Sequence, residues 1–277
     1  MLKLFFKIMD LDRRWIFLMV AVIVTIPLFI PSNPPIVPDR PVQELYNFID
    51  ALPEGTPIMI CFDYSPDSLA ELNPMGRALV RHAFSKNLRV IGLALAWPAA
   101  SGLGLEIISS SAEEYGKIEG VDWAYFGYKI GYSQIVIGMG KNIAQTVQED
   151  HKGLSLNNME MFKEIKNYDD IGIVIDLAAG GSLGLFVTYV NTMYNRPVST
   201  GVTAVMAADY YPYLQSGQII GMLNGLKGAA DYEKLVNRKG LATRGMASQN
   251  WAHIMIIILI VLGNISFLLT KKQQSKQ

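Results

Sequence analysis

The sequence predicts an α/β fold: a doubly wound, mostly parallel sheet of about five strands, set between two transmembrane helices. Short apolar runs alternate with amphipathic segments of helical length through the middle of the chain, which is typical of such sheets. Residues 171–177 form an apolar run on both strand faces, as in a central strand covered by helices on each side. Long apolar runs near both chain ends predict the two spans.

The composition favours a membrane protein without a nucleic-acid partner. Of the 277 residues, 51% are hydrophobic and 17% are charged, and the apolar excess lies mostly at the two ends. The formal net charge is zero and no basic stripe is interleaved with aromatic residues, so binding to nucleic acid is not expected. The single cysteine, Cys61, excludes an internal disulfide. Its position in an apolar strand pattern predicts a buried thiol rather than a nucleophile.

The first predicted span is residues 15–30, preceded by an amphipathic cytoplasmic segment at residues 1–14. At about 1.5 Å per residue the span is shorter than the roughly 30 Å hydrocarbon core of a bilayer, so the preceding segment should extend it. The Pro-rich linker that follows, residues 31–41, begins without a small-x-small cleavage site. An uncleaved anchor is therefore favoured over a cleaved signal peptide.

The second predicted span is residues 251–269, with a juxtamembrane segment at 238–250 and a cytoplasmic tail at 270–277. Basic residues are more numerous before the first span than after it, so both termini should be cytoplasmic. The α/β domain, residues 42–237, is then extracytoplasmic. Its lack of glycosylation sequons suits a bacterial inner-membrane protein.

The expected partners are the lipid bilayer and either other membrane proteins or a second copy of this chain. Gly263, Asn264 and Ser266 lie together in the second span. Small residues beside amide and hydroxyl groups are what helices use to pair in lipid. Polarity tolerated near the membrane interface is the alternative interpretation.

Strands and helices alternate through the domain. The predicted strands are residues 57–62, 88–95, 123–128, 171–177 and 198–202. The predicted helices are residues 42–52, 73–86 with Asn73 and Pro74 at its start, 101–115, 159–166, a helix ending at residue 194, and 212–236.

Two acidic residues, Asp63 and Asp176, come at the ends of predicted strands and could face one another across the carboxyl edge of the sheet, where open α/β sheets bind ligands. The predicted ligand-binding residues are Asp63, Tyr64, Ser65, Asp176, Gly180, Gly181, Ser182 and Thr203. Asp176 could be structural, held by N–H groups of the Gly180-Gly181 turn, or it could share a cation or a proton with Asp63. The structural role is favoured.

No cofactor and no metal is expected. Gly102 and Gly104 lack the third glycine of a dinucleotide-binding turn, and residues 138–141 are far from a complete phosphate-binding loop. Histidine, cysteine and acidic residues show no spacing typical of a zinc site.

Residues 180–184 satisfy the G-x-S-x-G pattern of a nucleophile elbow between a predicted strand and helix. A catalytic triad needs a histidine after the serine, and the only later histidine, His253, lies in the second predicted span. Ser182 is therefore expected to be a helix N-cap.

Residues 169–216 resemble the Clp-type serine proteases and their membrane-anchored relatives, the signal peptide peptidase A group. The strand ending at Asp176, the Gly180-Gly181-Ser182 turn and the helix carrying Thr192 and Met193 resemble the strand, Gly-Gly oxyanion loop and helix of that family. The resemblance implies a membrane-bound serine peptidase with an extracytoplasmic catalytic domain. The family's nucleophilic serine follows the next strand, and the matching residues 203–209 contain none, which implies an inactive copy.

The function expected from these observations is a non-catalytic binding or scaffold subunit of a bacterial membrane complex. The first alternative is a serine peptidase or hydrolase, for which Ser182 and Lys227 are the candidate nucleophile and base. The second alternative is a ligand-sensing lobe similar to half of a periplasmic binding protein.

Overall fold

The computed structural model describes residues 12–29 and 36–274, with side chains as far as residue 268. Its contacts divide the chain into two units. One is Ile36–Ala242, and the other combines the terminal segments Met1–Pro35 and Thr243–Gln277.

The larger unit contains a six-stranded sheet in which all neighbouring strands are parallel, in the order β3-β2-β1-β4-β5-β6. The strands are β1 (Pro57–Asp63), β2 (Arg89–Ala94), β3 (Trp123–Tyr128), β4 (Ile173–Ala178), β5 (Val198–Val202) and β6 (Met222–Asn224). The predicted parallel α/β fold is confirmed, and the order is that of Rossmann-like doubly wound sheets. The sequence predicts only five strands, because β6 has three residues and lies within the segment 212–236 that the sequence predicts to be helical.

The helices are α1 (Arg13–Phe29), α2 (Arg40–Asp50), α3 (Leu69–Ser85), α4 (Ala100–Tyr115), α5 (Tyr132–Met139), α6 (Ile143–Val147), α7 (Leu183–Phe186), α8 (Ala207–Gln215), α9 (Gly225–Leu235) and α10 (Leu241–Gln274). A π-helical turn, Val187–Thr192, continues α7. One layer over the sheet contains α2, α3, α4 and α9, and the opposite layer contains α5 to α8.

Both faces of the central strands are therefore covered, which is why every residue of β1 and β4 is buried. Alternate residues of β1 point to opposite layers. A Cβ atom at Gly104 of α4 would lie 2.7 Å from the ring of Phe62, whereas Met59 and Cys61 belong to the apolar cluster under the other layer. This alternation fixes which side chains can meet at the sheet edge.

Two further helix predictions differ from the structure. Helix α3 begins at Leu69 rather than beside Asn73, because the 3₁₀ turn Pro66–Ser68 leads directly into it. The helix predicted at 159–166 is instead a pair of 3₁₀ turns, Leu156–Asn158 and Glu160–Lys163. The N–H of Met161 donates to the carbonyl of Gly120, so a tertiary hydrogen bond takes the place of a helical one.

Among the described residues, one helix is long and apolar enough to cross a membrane: Leu241–Leu268 of α10, in which the most apolar stretch of 18 residues has a mean hydropathy of 2.2. Helix α1 has 17 residues, about 25 Å at 1.5 Å per residue, which is less than the roughly 30 Å of a hydrocarbon core. The structure thus supports one spanning helix where the sequence predicted two. Most of the predicted segment 1–14 and half of the linker 31–41 lie outside the described residues.

Candidate functional site at the carboxyl edge of β1 and β4

The order of the sheet reverses between β1 and β4, so the connections after these strands run to opposite sides and leave a crevice at their carboxyl ends. Asp63 is the last residue of β1. Asp176 is paired in register with Cys61, two residues before the end of β4, and so lies inside the strand rather than at its end. Because side chains alternate along a strand, Cys61, Asp63 and Asp176 all point to the layer of α5 to α8.

These three side chains meet. One ligand atom from each of Cys61, Asp63 and Asp176 lies within 4.8 Å of the other two, and all three residues are buried. The predicted approach of Asp63 to Asp176 is therefore present. The sequence analysis missed Cys61 as a member of this group, although its position two residues before Asp63 in the same strand already places both on one face.

The carboxylate of Asp63 is held mainly by backbone donors. Its Oδ1 accepts hydrogen bonds from the N–H groups of Leu95 at 2.7 Å and Ala96 at 2.8 Å, where the chain leaves β2. Its Oδ2 accepts from the thiol of Cys61 at 3.2 Å. One oxygen is thus fixed by the backbone and the other faces the thiol.

Asp176 has a different environment. Its Oδ2 accepts a hydrogen bond from the hydroxyl of Ser182 at 2.6 Å, whereas its buried Oδ1 has no hydrogen-bond partner among the described residues. Ser182 is the residue before α7, but its side chain makes no capping hydrogen bond. The predictions that Ser182 caps the helix and that the N–H groups of Gly180 and Gly181 hold Asp176 were therefore wrong, because the Ser182 hydroxyl bonds the carboxylate instead.

The buried acidic pair retains protons more readily than exposed carboxyls do. Desolvation raises the pKa of Asp176 well above its usual value, and the nearby charge of Asp63 raises it further. Burial also raises the pKa of Asp63, in opposition to the two backbone N–H groups that favour its charged form. Burial first, and then the charge of Asp63, raise the pKa of the Cys61 thiol. Three simultaneous negative charges are disfavoured here without a cation.

Two tyrosines donate hydrogen bonds to the turn that follows β4. The hydroxyl of Tyr132 donates to the carbonyl of Ser182 at 3.5 Å, and the hydroxyl of Tyr210 donates to the carbonyl of Gly180. Burial raises the pKa of Tyr210 to about 12, so its hydroxyl stays a donor at neutral pH. The glycines themselves face open space, since a Cβ atom on Gly180 or Gly181 would meet no atom within 4 Å.

Three of the predicted ligand residues make only local contacts. Tyr64 is fully buried and donates its hydroxyl to Asn73 at 2.6 Å. The hydroxyl of Ser65 donates to Asp67. The carbonyl of Thr203 accepts from Met206 and so begins the turn into α8. The structure brings Asp63, Asp176 and Ser182 together but gives Tyr64 and Ser65 structural contacts.

The candidate base Lys227 is engaged elsewhere. Its ammonium group pairs with Asp231 at 2.6 Å and with Asp39 at 2.9 Å. His82 bonds the hydroxyl of Tyr232 at 2.8 Å, and His151 bonds the carbonyl of Tyr125 at 3.1 Å. The third histidine, His253, belongs to α10.

Exposed apolar side chains lie on three loops at the carboxyl edge of the sheet. Trp97 follows β2, Ile130 follows β3 and Val205 follows β5, and their exposed fractions are 47%, 85% and 86%. The three side chains thus share the carboxyl edge of the sheet, which is the edge where open α/β sheets bind their ligands. These residues could not be predicted from the sequence, because their exposure depends on which loops remain uncovered.

Comparison of the chain with protein families, with curated proteins and with solved structures finds no match. The resemblance of residues 169–216 to the Clp-type and signal peptide peptidase A proteases therefore stays a prediction that rests on the residues quoted for it.

Proposed function

We propose that this chain is a non-catalytic binding or scaffold subunit of a bacterial membrane complex, anchored in the inner membrane with its α/β domain outside the cytoplasm. The domain binds its partner at the carboxyl edge of the sheet. The observation that carries this proposal is the set of exposed apolar residues on the loops of that edge, Trp97, Ile130 and Val205. Large apolar side chains of this kind supply much of the binding energy in protein interfaces.

The contacts of Ser182 favour binding over hydrolysis. Its hydroxyl bonds a buried carboxyl group of raised pKa, whereas a nucleophilic serine needs an adjacent base such as a histidine or lysine. Lys227, His82 and His151 all have other partners. A fluorophosphonate probe should therefore leave the full-length chain unlabelled, and stoichiometric labelling that is lost in Ser182→Ala would support the peptidase alternative.

The sharpest test of the binding surface compares two isoleucines on opposite edges of the sheet. Ile130 follows β3 at the carboxyl edge, and Ile118 precedes β3 at the amino edge, where it is 62% exposed. A charge at an interface core is costly to desolvate, so Ile130→Asp should reduce the recovery of co-purifying subunits from solubilised membranes roughly tenfold or more. Ile118→Asp should leave it unchanged.

Recovery is measured by quantitative mass spectrometry against equal amounts of bait. An equal loss in both variants, or in neither, would contradict binding at the carboxyl edge.

The proposed topology has a separate test. Alkaline phosphatase folds only where disulfides form. Its fusion after Gly153 should be active if the domain is extracytoplasmic and the first predicted span, residues 15–30, crosses the membrane. Activity of a reporter that works only in the cytoplasm, fused at the same site, would show the opposite orientation.

A further inference from the structure

The fully buried Oδ1 of Asp176 lacks a hydrogen-bond partner among the described residues, although the other oxygen of the same carboxyl group is well bonded. Buried polar atoms in native proteins nearly always have a partner, and an orphaned one marks a strained site, a missing ion or a missing ligand. The described ionisable side chains around it are those of Asp63, Cys61, Tyr132 and Tyr210, and none of these supplies positive charge.

The two carboxyl groups have similar patterns of hydrogen bonds. In each, one oxygen is fixed by donors: Asp63 Oδ1 by two backbone N–H groups and Asp176 Oδ2 by Ser182. The other oxygens are less firmly held. Asp63 Oδ2 accepts from the weakly donating Cys61 thiol, with the Tyr132 hydroxyl also close to this carboxyl group, and Asp176 Oδ1 has no hydrogen-bond partner among the described residues. Metal-binding carboxylates are held in this way by surrounding hydrogen bonds, which orient the ligating oxygen.

We infer that Cys61, Asp63 and Asp176 bind one divalent transition-metal ion of the zinc or cobalt class, through one sulfur and two oxygen atoms. On binding, the Cys61 thiol proton and any proton held by the two carboxyls are released to solvent, and the metal forms bonds to the thiolate and both carboxylates. The ion supplies the positive charge that the site otherwise lacks. The three protein ligands leave a fourth position for water or for a donor atom of a bound molecule.

The donor set selects the class of ion. A thiolate is a soft ligand and favours zinc and similar ions, whereas Ca²⁺ and Mg²⁺ require six or more oxygen donors, or an octahedron rich in water. Complete burial of all three side chains also disfavours Mg²⁺, which gives up its hydration water reluctantly.

A second acidic cluster, Glu119, Asp150 and His151, also has buried oxygens without a hydrogen-bond partner among the described residues, Glu119 Oε1 and Asp150 Oδ2, but it differs in having positive charge beside it. The ammonium group of Lys152 bonds Glu119 at 2.5 Å, so a cation already accompanies these acids. The Asp150 Oδ1 accepts two backbone N–H groups, from Lys152 and Leu154, which fixes a tight turn. Glu119 therefore provides a matched control for the proposed site.

This inference goes beyond the proposed scaffold function and does not depend on it. Metal binding is measured on the purified full-length chain, whereas the scaffold function is measured by recovery of other subunits. Loss of one without the other shows which of the two proposals fails.

The experiment uses the full-length chain in detergent micelles, stripped with chelator and titrated with Co²⁺ and then Zn²⁺. We expect one equivalent of Co²⁺ to bind with a thiolate-to-cobalt charge-transfer band, and Zn²⁺ to displace it. Cys61→Ser should abolish the band, and Asp176→Asn should weaken Co²⁺ binding roughly tenfold or more. Glu119→Gln should leave both the band and the affinity unchanged.

Ser182→Ala is a second variant that tests the site if the ligand variants fail to fold. In this proposal Ser182 orients Asp176 through a hydrogen bond but does not itself bind the ion. Ser182→Ala should keep the charge-transfer band and weaken Co²⁺ binding roughly tenfold. The inference is overturned if the folded wild-type chain shows no thiolate band, if Cys61→Ser keeps it, or if Glu119→Gln loses it.

Discussion

Two buried aspartates in the α/β domain have opposite electrostatic surroundings. Asp231 of α9 is fully buried, and its Oδ2 accepts hydrogen bonds from the ammonium of Lys227 at 2.6 Å and from the N–H of Asp39 at 3.0 Å. Asp176 is equally buried, but its ionisable neighbour is a second carboxyl group, that of Asp63. Each leaves its Oδ1 without a hydrogen-bond partner among the described side chains. Only Asp231 has a cation beside it.

The presence of a cation beside Asp231 and its absence, among the described residues, beside Asp176 indicate that Asp231 is structural and that Asp176 belongs to a binding site. Lys227 also pairs with Asp39 and donates to the carbonyl of Val37, so the contacts of Asp231 attach the segment that precedes α2 to α9. Asp63 and Asp176 also bond neighbouring segments, the chain that leaves β2 and the turn at Ser182, but no cation among the described residues offsets the repulsion between their two carboxyl groups, which lowers stability. Buried ionisable groups with strongly shifted pKa values and no compensating charge are typical of binding sites.

The largest expected effect is the loss of the ammonium beside Asp231. Lys227→Met should lower the free energy of unfolding by about 1–3 kcal/mol, less than for a fully buried ion pair because Lys227 is 45% exposed. Urea denaturation of the full chain in micelles, followed by tryptophan fluorescence, measures it. Adding Asp231→Asn to Lys227→Met should recover part of the loss, and an unchanged stability in Lys227→Met would remove the contrast between the two aspartates.

A smaller effect is expected next to Asp231, at Tyr232. The hydroxyl of Tyr232 meets Nδ1 of the buried His82 at 2.8 Å. Tyr232→Phe should cost about 1 kcal/mol, because a buried hydrogen bond is lost and the imidazole nitrogen stays unpaired. Tyr213→Phe, in which a part-buried tyrosine loses its hydroxyl, is the control and should cost less. Equal stability of Tyr232→Phe and wild type would show that this contact is not structural.

The pH dependence of stability should reveal the burial of Asp176 and its repulsion by Asp63 at the carboxyl edge of the sheet. Burial raises the folded-state pKa of Asp176 above the ordinary value of 3.8, so between 3.8 and that raised pKa the folded chain holds more protons than the unfolded one. The stability contribution of this group therefore falls as pH rises through that range. Below pH 3.8 both states are protonated and the contribution is constant.

The measurement is the difference in melting temperature between metal-free wild type and Asp176→Asn from pH 4 to pH 7. Wild type should become progressively less stable relative to the variant as pH rises. The buried His82 has the opposite dependence, because its lowered pKa costs stability as pH falls below 6.5, but it is present in both chains and cancels. A difference that does not change with pH would contradict the raised pKa of Asp176.

The sequence predicted the parts of this structure that depend on periodicity. Five strands, the parallel α/β class and the approach of Asp63 to Asp176 all follow from apolar runs and from the rule that parallel strands end at one edge. Strand β6 could not be predicted in this way, because three residues are too few to show an alternating apolar pattern.

The contacts within the site depended on tertiary structure and were less predictable. Whether Ser182 caps a helix or bonds Asp176 depends on side-chain geometry that spacing does not encode. The N–H groups of Leu95 and Ala96 reach Asp63 only because β2 lies next to β1. The same holds for Lys227, the candidate base of the peptidase alternative. Its ion pair with Asp231 depends on tertiary structure and could not be predicted from the sequence.

The most direct test of the central claim is the stability of Asp176→Asn in the metal-free full-length chain at pH 7. The amide has nearly the same shape, can still accept from Ser182 and carries no charge to repel Asp63. We expect stability equal to that of wild type or higher, since replacing an uncompensated buried charge removes a desolvation cost. A loss of more than about 1 kcal/mol would show that the carboxylate of Asp176 is a structural element and contradict its assignment to a binding site.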